Sequence, residues 1–400
     1  MLTTSKLKAQ VAIFGGGVAG LWLLNRLRQL DVSCLLIENN QLGGGQTIFS
    51  QGIIHSGLKY ALSGKLTVSA EAMKQMPDIW RKCLQGEGEI DLSDVAVLSE
   101  NQYLWSPGSL AANLAVFLAS KNLKSQVSCL AKSDYPEIFS APNFKGSVYM
   151  LEEPVLAVKT LVEVLAAPYV DCFLQAELQH VEHSDSGSIT ALHLQNEKEE
   201  ITVSVDHVVL LAGKGNQALA KQFGLTLPKM QLRPLLMVTV TAPNLPGLFA
   251  HAMQASDKPR ITITSHKDGE NCVWYLGGDL AETGVNRTPE AQIIFARKEL
   301  ASLFPHIDFS QAQFQTFYIE RAEAEYPSGK KPEGPSIIQE CNVITAWPTK
   351  LAFAPLLAQQ IVDKLTAAKS VTKMDDENGV CESMMNMKPA IANYPWSQNL

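Results

Sequence analysis

The chain has 400 residues, 46% hydrophobic and 18% charged, enough for a large core in one two-lobed unit or two to three interleaved domains. A formal charge of −7 without any basic run argues against nucleic acid as a partner, and no stretch of eighteen apolar residues is present to cross a membrane. The seven cysteines lack paired spacing, so we expect reduced thiols in a cytoplasmic protein, with neither a disulfide framework nor a metal site. Met1 to Lys8 also lacks the apolar centre of a signal peptide.

The first element is a short apolar run, Gln10 to Phe14, of the kind that forms a fully buried parallel strand. Gly15-Gly16-Gly17-Val18-Ala19-Gly20 follows at once, and Leu21 to Leu27 carries a helical pattern. Val32 to Ile37 reads as a second buried strand, closed by Glu38. Strand, glycine loop, helix, strand and terminal acid are the parts of a dinucleotide-binding βαβ unit, in order. Gly15 permits the tight turn, Gly17 lets backbone approach a pyrophosphate, and Gly20 lets the helix pack on the strand. The pyrophosphate belongs on the helix N-terminus. Glu38 can accept from ribose hydroxyls and disfavours a 2′-phosphate. This much fits NAD and FAD equally, since both contain ADP.

Residues 43–60, GGGQTIFSQGIIHSGLKY, separate the two. Neither helix nor strand tolerates that density of glycine without loss, so the backbone must approach something closely. The segment resembles one in the D-amino-acid-oxidase-like FAD oxidoreductases, nearest to FAD-dependent glycerol-3-phosphate dehydrogenase and L-2-hydroxyglutarate dehydrogenase. The likeness is carried by Gly44, Gly45, Thr47, Ser50, Gly52, Ile54, His55, Gly57 and Tyr60, with Leu62 to Leu66 closer to the hydroxyglutarate branch. It implies FAD as cofactor, with Gly45, Thr47, Ser50, Gln51 and Gly52 along its pyrophosphate and ribityl chain.

Further elements agree with the resemblance. A helix is expected over Leu156 to Leu165, then strands at Cys172 to Leu174 and Glu177 to Val181 in a small sheet. Strands at Ile189 to Leu194, Ile201 to Val205 and Val208 to Gly213, the last ending in Ala212-Gly213, follow, with a helix start at Asn216. By resemblance Leu178 contacts adenine through its backbone and Gly213 approaches the pyrophosphate; the alternative for Gly213 is a plain strand-to-loop turn. Strands at Leu235 to Thr241, Arg260 to Thr264, Val273 to Gly278 and Gln315 to Arg321, with a helix over Pro289 to Leu303, form the second lobe. Val343 to Ala352 leads into a helix over Leu356 to Leu365. There Lys350 and Leu351 match a family turn whose helix N-terminus faces the flavin, while Pro348 and Thr349 stand where the family has glycines.

The expected fold is α/β (α+β): a discontinuous Rossmann-like FAD-binding domain (8–80, 150–225 and 335–366) and a mixed-sheet substrate domain (81–149 and 226–334). Residues 367–400 are expected to form an irregular tail, with a covering role open to it. Two catalytic candidates stand out. His55 can take a proton near neutral pH, with structural and covalent-flavin roles as alternatives. Arg321 can hold an anionic substrate, or be a solvated charge paired with Glu320 or Glu323. The family's Gly-x-Arg-Pro arrangement is not clean, because Ser328-Gly329-Lys330-Lys331-Pro332 has lysine in place of arginine.

The expected activity is FAD-dependent oxidation of a small anionic hydroxy acid or polyol phosphate by hydride transfer to flavin. The electron acceptor (oxygen, a quinone or an electron-transfer protein) and any peripheral membrane contact stay open. Alternatives are an amine or amino-acid oxidase of the same family, a non-catalytic flavin-binding protein, and an NAD dehydrogenase, which leaves residues 43–60 without a reason.

Overall fold

The computed structural model describes residues 3–55, 68–107, 127–141, 144, 146–226, 228–254, 258–326, 332, 334–367 and 388–397. Gly57, Tyr60, the run Leu62 to Leu66 and Ser328 to Lys331 lie outside the described residues.

The first of two eight-stranded sheets is built on β1 (Thr3–Phe14), which is followed by helix α1 (Val18–Gln29) and strand β2 (Cys34–Glu38). Its order is 336–340, 343–347, 199–210, β1, β2 and 173–175, with 189–195 and 177–183 branching off 199–210. The centre is parallel: β1 pairs with both 199–210 and β2, and 343–347 pairs with Val208 to Leu210. Such strands are covered on both faces, which is why they read as continuous apolar runs. The two faces of β1 divide accordingly. Val11 and Ile13 pack with Leu21, Leu24 and Leu27 of α1 and with Leu357 and Ile361 of the helix Ala354–Ala367. Ala12 and Phe14 face the opposite layer, with Leu192, Leu210 and Phe223.

The second sheet runs 313–324, 230–242, 271–277, 261–268, 250–252, 102–107, 146–151 and 127–129. It is antiparallel except where 250–252 meets 102–107. The helix Pro289–Leu303 covers it through Ala296, Leu300 and Leu303, and the Thr288 hydroxyl caps that helix by accepting from Ala291 N at 3.2 Å.

Several expectations are corrected. Ile201 to Val205 and Val208 to Gly213 are not two strands, since Glu199–Leu210 is continuous and ends before Ala212-Gly213, where Gly213 opens a turn. Its first part pairs with the antiparallel 189–195 and alternates, whereas its end enters the buried parallel centre. Phe173–Gln175 and Glu177–His183 join the first sheet rather than a small separate one. Of the segment expected to open the second lobe, Cys83, Ile90, Leu92 and Val95 pack in the α1 core, and Val97–Ser99 pairs with Val155–Leu156. Apart from these corrections, residues 388–397 of the irregular tail are fastened: Leu42 N donates to Ala390 O at 2.8 Å and Ala392 N to Leu42 O at 2.9 Å. Tyr394 and Trp396 stack at 4.6 Å, and both rings lie against His266. Among the described residues no helix is long and apolar enough to cross a membrane.

Candidate active site

A cleft of about 1010 Å³ opens between the two sheets, running from Asn39, Asn40 and Glu177 to Glu282, Arg321 and Lys350. One wall is backbone. Gly15 turns the chain at φ +108°, where a Cβ would sit 2.6 Å from Leu211 O. A Cβ on Gly20 would lie 2.0 Å from Gly15 O, so only glycine lets α1 start so close to the strand end. Gly17 lines the cleft, while Gly20 is buried behind it. Glu38 caps β2 with its carboxylate on the turn, Oε2 accepting from Gly16 N at 2.7 Å and Oε1 from Asn40 N at 2.9 Å. The first turn of α1 carries no acidic residue and its last turn carries Arg26 and Arg28, so charge does not oppose an anion at its N-terminus.

The glycine-rich segment forms the next wall. Thr47 Oγ1 accepts from Val18 N at 3.1 Å and thereby ties this segment to α1. Gly45, Gln46, Thr47, Ser50 and Gln51 line the cleft; Gly52 does not, and its φ of +70° serves packing, because a Cβ there would meet Leu156 O at 2.1 Å. Gln51 reaches the second sheet, donating from Nε2 to Tyr275 O at 2.9 Å and Thr262 O at 3.2 Å. Tyr275 answers by donating to Phe49 O at 3.0 Å; its hydroxyl is fully buried, which pushes its pKa up and keeps it a donor.

Leu178, Gly213, Lys350 and Leu351 all line the cleft. Gly213 adopts φ +56°, and its carbonyl accepts from Trp347 Nε1 at 3.0 Å. Thr349 holds φ +61°, so the chain keeps a glycine-like turn although the residue is β-branched. Missed by sequence reasoning were Gln46, whose Oε1 accepts from Ala322 N at 3.0 Å across the lobes, and Trp347, Arg233 and Glu282. A glutamine in a glycine-rich loop was the only local signal for the first; the others carry none.

The catalytic candidates are separated. Arg321 lines the cleft opposite Arg233 in the strand register, with Nε 3.5 Å from Arg233 O and a terminal nitrogen 3.6 Å from Glu282 Oε1. Its pKa is lowered, first by burial and then by the Arg233 charge. Neither Glu320 nor Glu323 is its ion-pair partner: Glu320 pairs with Lys214, and Glu323 with Arg233. His55 is not among the residues lining the cleft. Its Nδ1 lies 3.3 Å from Oε2 of the buried Glu153, and its ring stacks near His251 at 6.0 Å.

The arrangement fits a dinucleotide. Backbone glycines cradle the helix N-terminus, and Ser50 Oγ is buried on the cleft wall without a partner among the described residues. A nucleotide cleft of this build between two such sheets is that of a flavoprotein, and the chain belongs to the DAO family of FAD dependent oxidoreductases, matched over residues 10–344. FAD is its cofactor, and it is an enzyme. A probable FAD-dependent oxidoreductase of Pseudomonas aeruginosa, PA4991, is 45% identical over 362 residues, covering 90% of this chain and 91% of the relative. The crystal structure of PA4991 superposes with a TM-score of 0.81 at 36% identity, covering 98% of each chain. Glycine oxidase of Geobacillus kaustophilus shares the fold at a TM-score of 0.66 and 17% identity, covering 94% of this chain and 99% of its own. L-alpha-glycerophosphate oxidase of Mycoplasma pneumoniae, with FAD bound, does so at 0.66 and 14%, covering 93% and 98%.

Proposed function

We propose that the enzyme oxidises a small anionic substrate at a CH–OH carbon, of the 2-hydroxy acid or polyol phosphate kind, and that Arg321 holds the anionic group. One observation carries this reading. The Arg321 guanidinium faces the cleft beside a second arginine, and its nearest described partners stand at 3.5 and 3.6 Å, too far for strong hydrogen bonds. A carboxylate or phosphate placed there would take the planar fork in two short bonds and relieve the repulsion from Arg233.

Oxidation of the alcohol to a carbonyl releases a hydride and a proton. FAD, when bound, supplies the hydride acceptor. Gly15, Gly17, Glu38, Gly45, Thr47, Ser50, Gln51, Leu178, Gly213, Lys350 and Leu351 would hold it along the cleft. His55 is the candidate acceptor of the hydroxyl proton, although it stands beside Glu153 outside the cleft lining that contains Arg321. A second reading has its own observation: Glu282 next to Arg321 would suit an ammonium beside a carboxylate, hence an amino acid.

Anaerobic mixing of the FAD-loaded protein with 2-hydroxy acids, glycerol phosphates and amino acids decides between them. Bleaching near 450 nm by a hydroxy compound is expected. Bleaching by amino acids alone would transfer the site to the second reading. With the substrate found, Arg321→Lys should raise KM more than tenfold while kcat changes little. An unchanged KM would remove Arg321 from substrate binding.

A further inference from the structure

We infer that Trp396 is a positioning residue for the cofactor: through Tyr275 it holds Phe49 to Gln51 against the cleft. It does so from a C-terminal strap that also grips Leu42, at the other end of the same segment. This rests on the reading, given above, that Gly45, Thr47, Ser50 and Gln51 hold FAD.

The sequence makes this segment costly to order. Gly43, Gly45 and Gly52 stand at φ +74°, +62° and +70°, and glycine loses more conformational freedom on ordering than any other residue. A wall ordered beforehand binds its ligand more tightly than one the ligand must order itself. The segment's bonds to α1 and its turn lie in its first half: Gly43 N donates to Gly16 O at 2.7 Å, and Thr47 Oγ1 accepts from Val18 N at 3.1 Å. Phe49 to Gln51 are held from the second sheet instead.

The strap reaches both ends. At the first, Leu42 bonds to Ala390 and Ala392 as described. The strap then passes the start of the helix Val158–Ala166, where the Tyr394 hydroxyl accepts from Lys159 N at 3.1 Å and Asn393 Oδ1 from Lys159 Nζ at 2.8 Å. At the second end the Trp396 ring lies 5.1 Å from that of Tyr275, at 58°. Tyr275 is fully buried and bonded to the segment twice: its hydroxyl donates to Phe49 O at 3.0 Å, and its carbonyl accepts from Gln51 Nε2 at 2.9 Å. Trp396 packs against the cluster of Met237, Tyr275 and Ile319, as Phe49 and Leu235 do. Phe49, Leu235, Met237 and Ile319 line the cleft, and Trp396 does not, so it supports this wall from behind. Removing its ring opens a void beside Tyr275, into which the tyrosine and the Phe49 carbonyl bonded to it can shift.

The rate of FAD release from the loaded protein, followed by the rise in flavin fluorescence on dilution, reads the effect without turnover. Trp396→Ala should release FAD about tenfold faster, and Trp396→Phe, which keeps a ring against Tyr275, should recover most of the wild-type rate. Tyr275→Phe removes only the bond to Phe49 O and should also speed release. Because both changes act on one link, their factors should not multiply in the double variant. A merely structural Trp396 would lower the melting temperature and leave release from the folded protein unchanged. That unchanged rate in Trp396→Ala would overturn the proposal, as would full multiplication of the two factors. If Trp396→Ala does not fold, Tyr275→Phe decides alone, and wild-type release from it overturns the proposal. The placement of FAD along the segment fails separately, by wild-type release from Gly45→Val, where a Cβ has no protein atom within 4 Å and only the cofactor to meet.

Discussion

Around α1 the cleft is walled by backbone, whereas where the two sheets meet it is walled by side chains that the sequence scatters. At the first end Gly15, Gly17 and Gly20 lie within six residues, and Glu38 completes the unit by bonding back to Gly16. At the second end Arg233 meets Arg321 and Gln46 meets Ala322, while His55 meets Glu153 at a separation of 98 residues. A backbone wall is coded by what a residue lacks, so a single substitution there acts through collision. A side-chain wall is coded by register between distant strands, and a substitution there acts through lost charge or hydrogen bonding.

The sharpest way to break this contrast is to add one methyl group to each of two glycines that differ in role. Gly20→Ala places a Cβ 2.0 Å from Gly15 O, a backbone atom that cannot turn aside. We expect no folded, FAD-loaded protein, judged by yield and by the ratio of absorbance at 450 to 280 nm. Gly17→Ala directs its Cβ only toward Thr47 Oγ1 at 3.0 Å, and Gly17→Val goes on to fill cofactor space. Gly17→Val should therefore keep near-native circular dichroism and lose more than nine-tenths of its FAD, on the order of a tenfold weaker hold or worse. Full FAD content in Gly20→Ala would show that this wall is softer than its geometry.

The second region is tested through its most enclosed histidine. His266 lies on the second sheet, covered by Tyr394 and Trp396 of the C-terminal segment, and its Nε2 is buried without a described partner. Burial lowers its pKa from 6.5 to about 4. The native state thus holds it neutral, while the unfolded chain protonates it below pH 6.5. Between pH 6.5 and 4 the unfolded state binds more protons, so stability falls as pH falls, by about 3 kcal/mol across the window. His266→Phe retains an aromatic ring there and should lose that share of acid sensitivity. Urea midpoints of both proteins at pH 7 and pH 4.5 check it, and equal losses would show that His266 does not drive the effect.

The same contrast explains how far the sequence could be read. The βαβ unit was legible because its parts are contiguous and each glycine has a local steric reason. The helix Pro289–Leu303 was legible because Thr288 and Pro289 mark its start. Glu199–Leu210 read as two strands because exposed Asp206 and half-buried His207 interrupt its pattern where the sheet changes from antiparallel to parallel pairing. Glu153 and Glu282 gave no signal, since a glutamate facing a cleft or a histidine has the same sequence signature as one facing water. Residues 388–397 looked irregular because a strap that is held by Leu42, Lys159 and His266 has no periodicity of its own.

Thr349 lies where the two kinds of wall meet, and it yields the smallest expected effect. The resemblance called for glycine in this turn, and the backbone retains the conformation at φ +61° with a β-branched residue in it. That geometry costs a non-glycine residue about 1–2 kcal/mol. The threonine recovers part of it because its hydroxyl donates to Gly334 O at 3.2 Å. Asparagine adopts this region more readily and keeps a donor of similar reach. Thr349→Asn should therefore raise the unfolding free energy by about 0.5 kcal/mol, with FAD content unchanged, as read from urea unfolding of the loaded protein. A loss of stability would mean that the threonine hydroxyl outweighs the backbone strain, and that even this turn is held by its side chain.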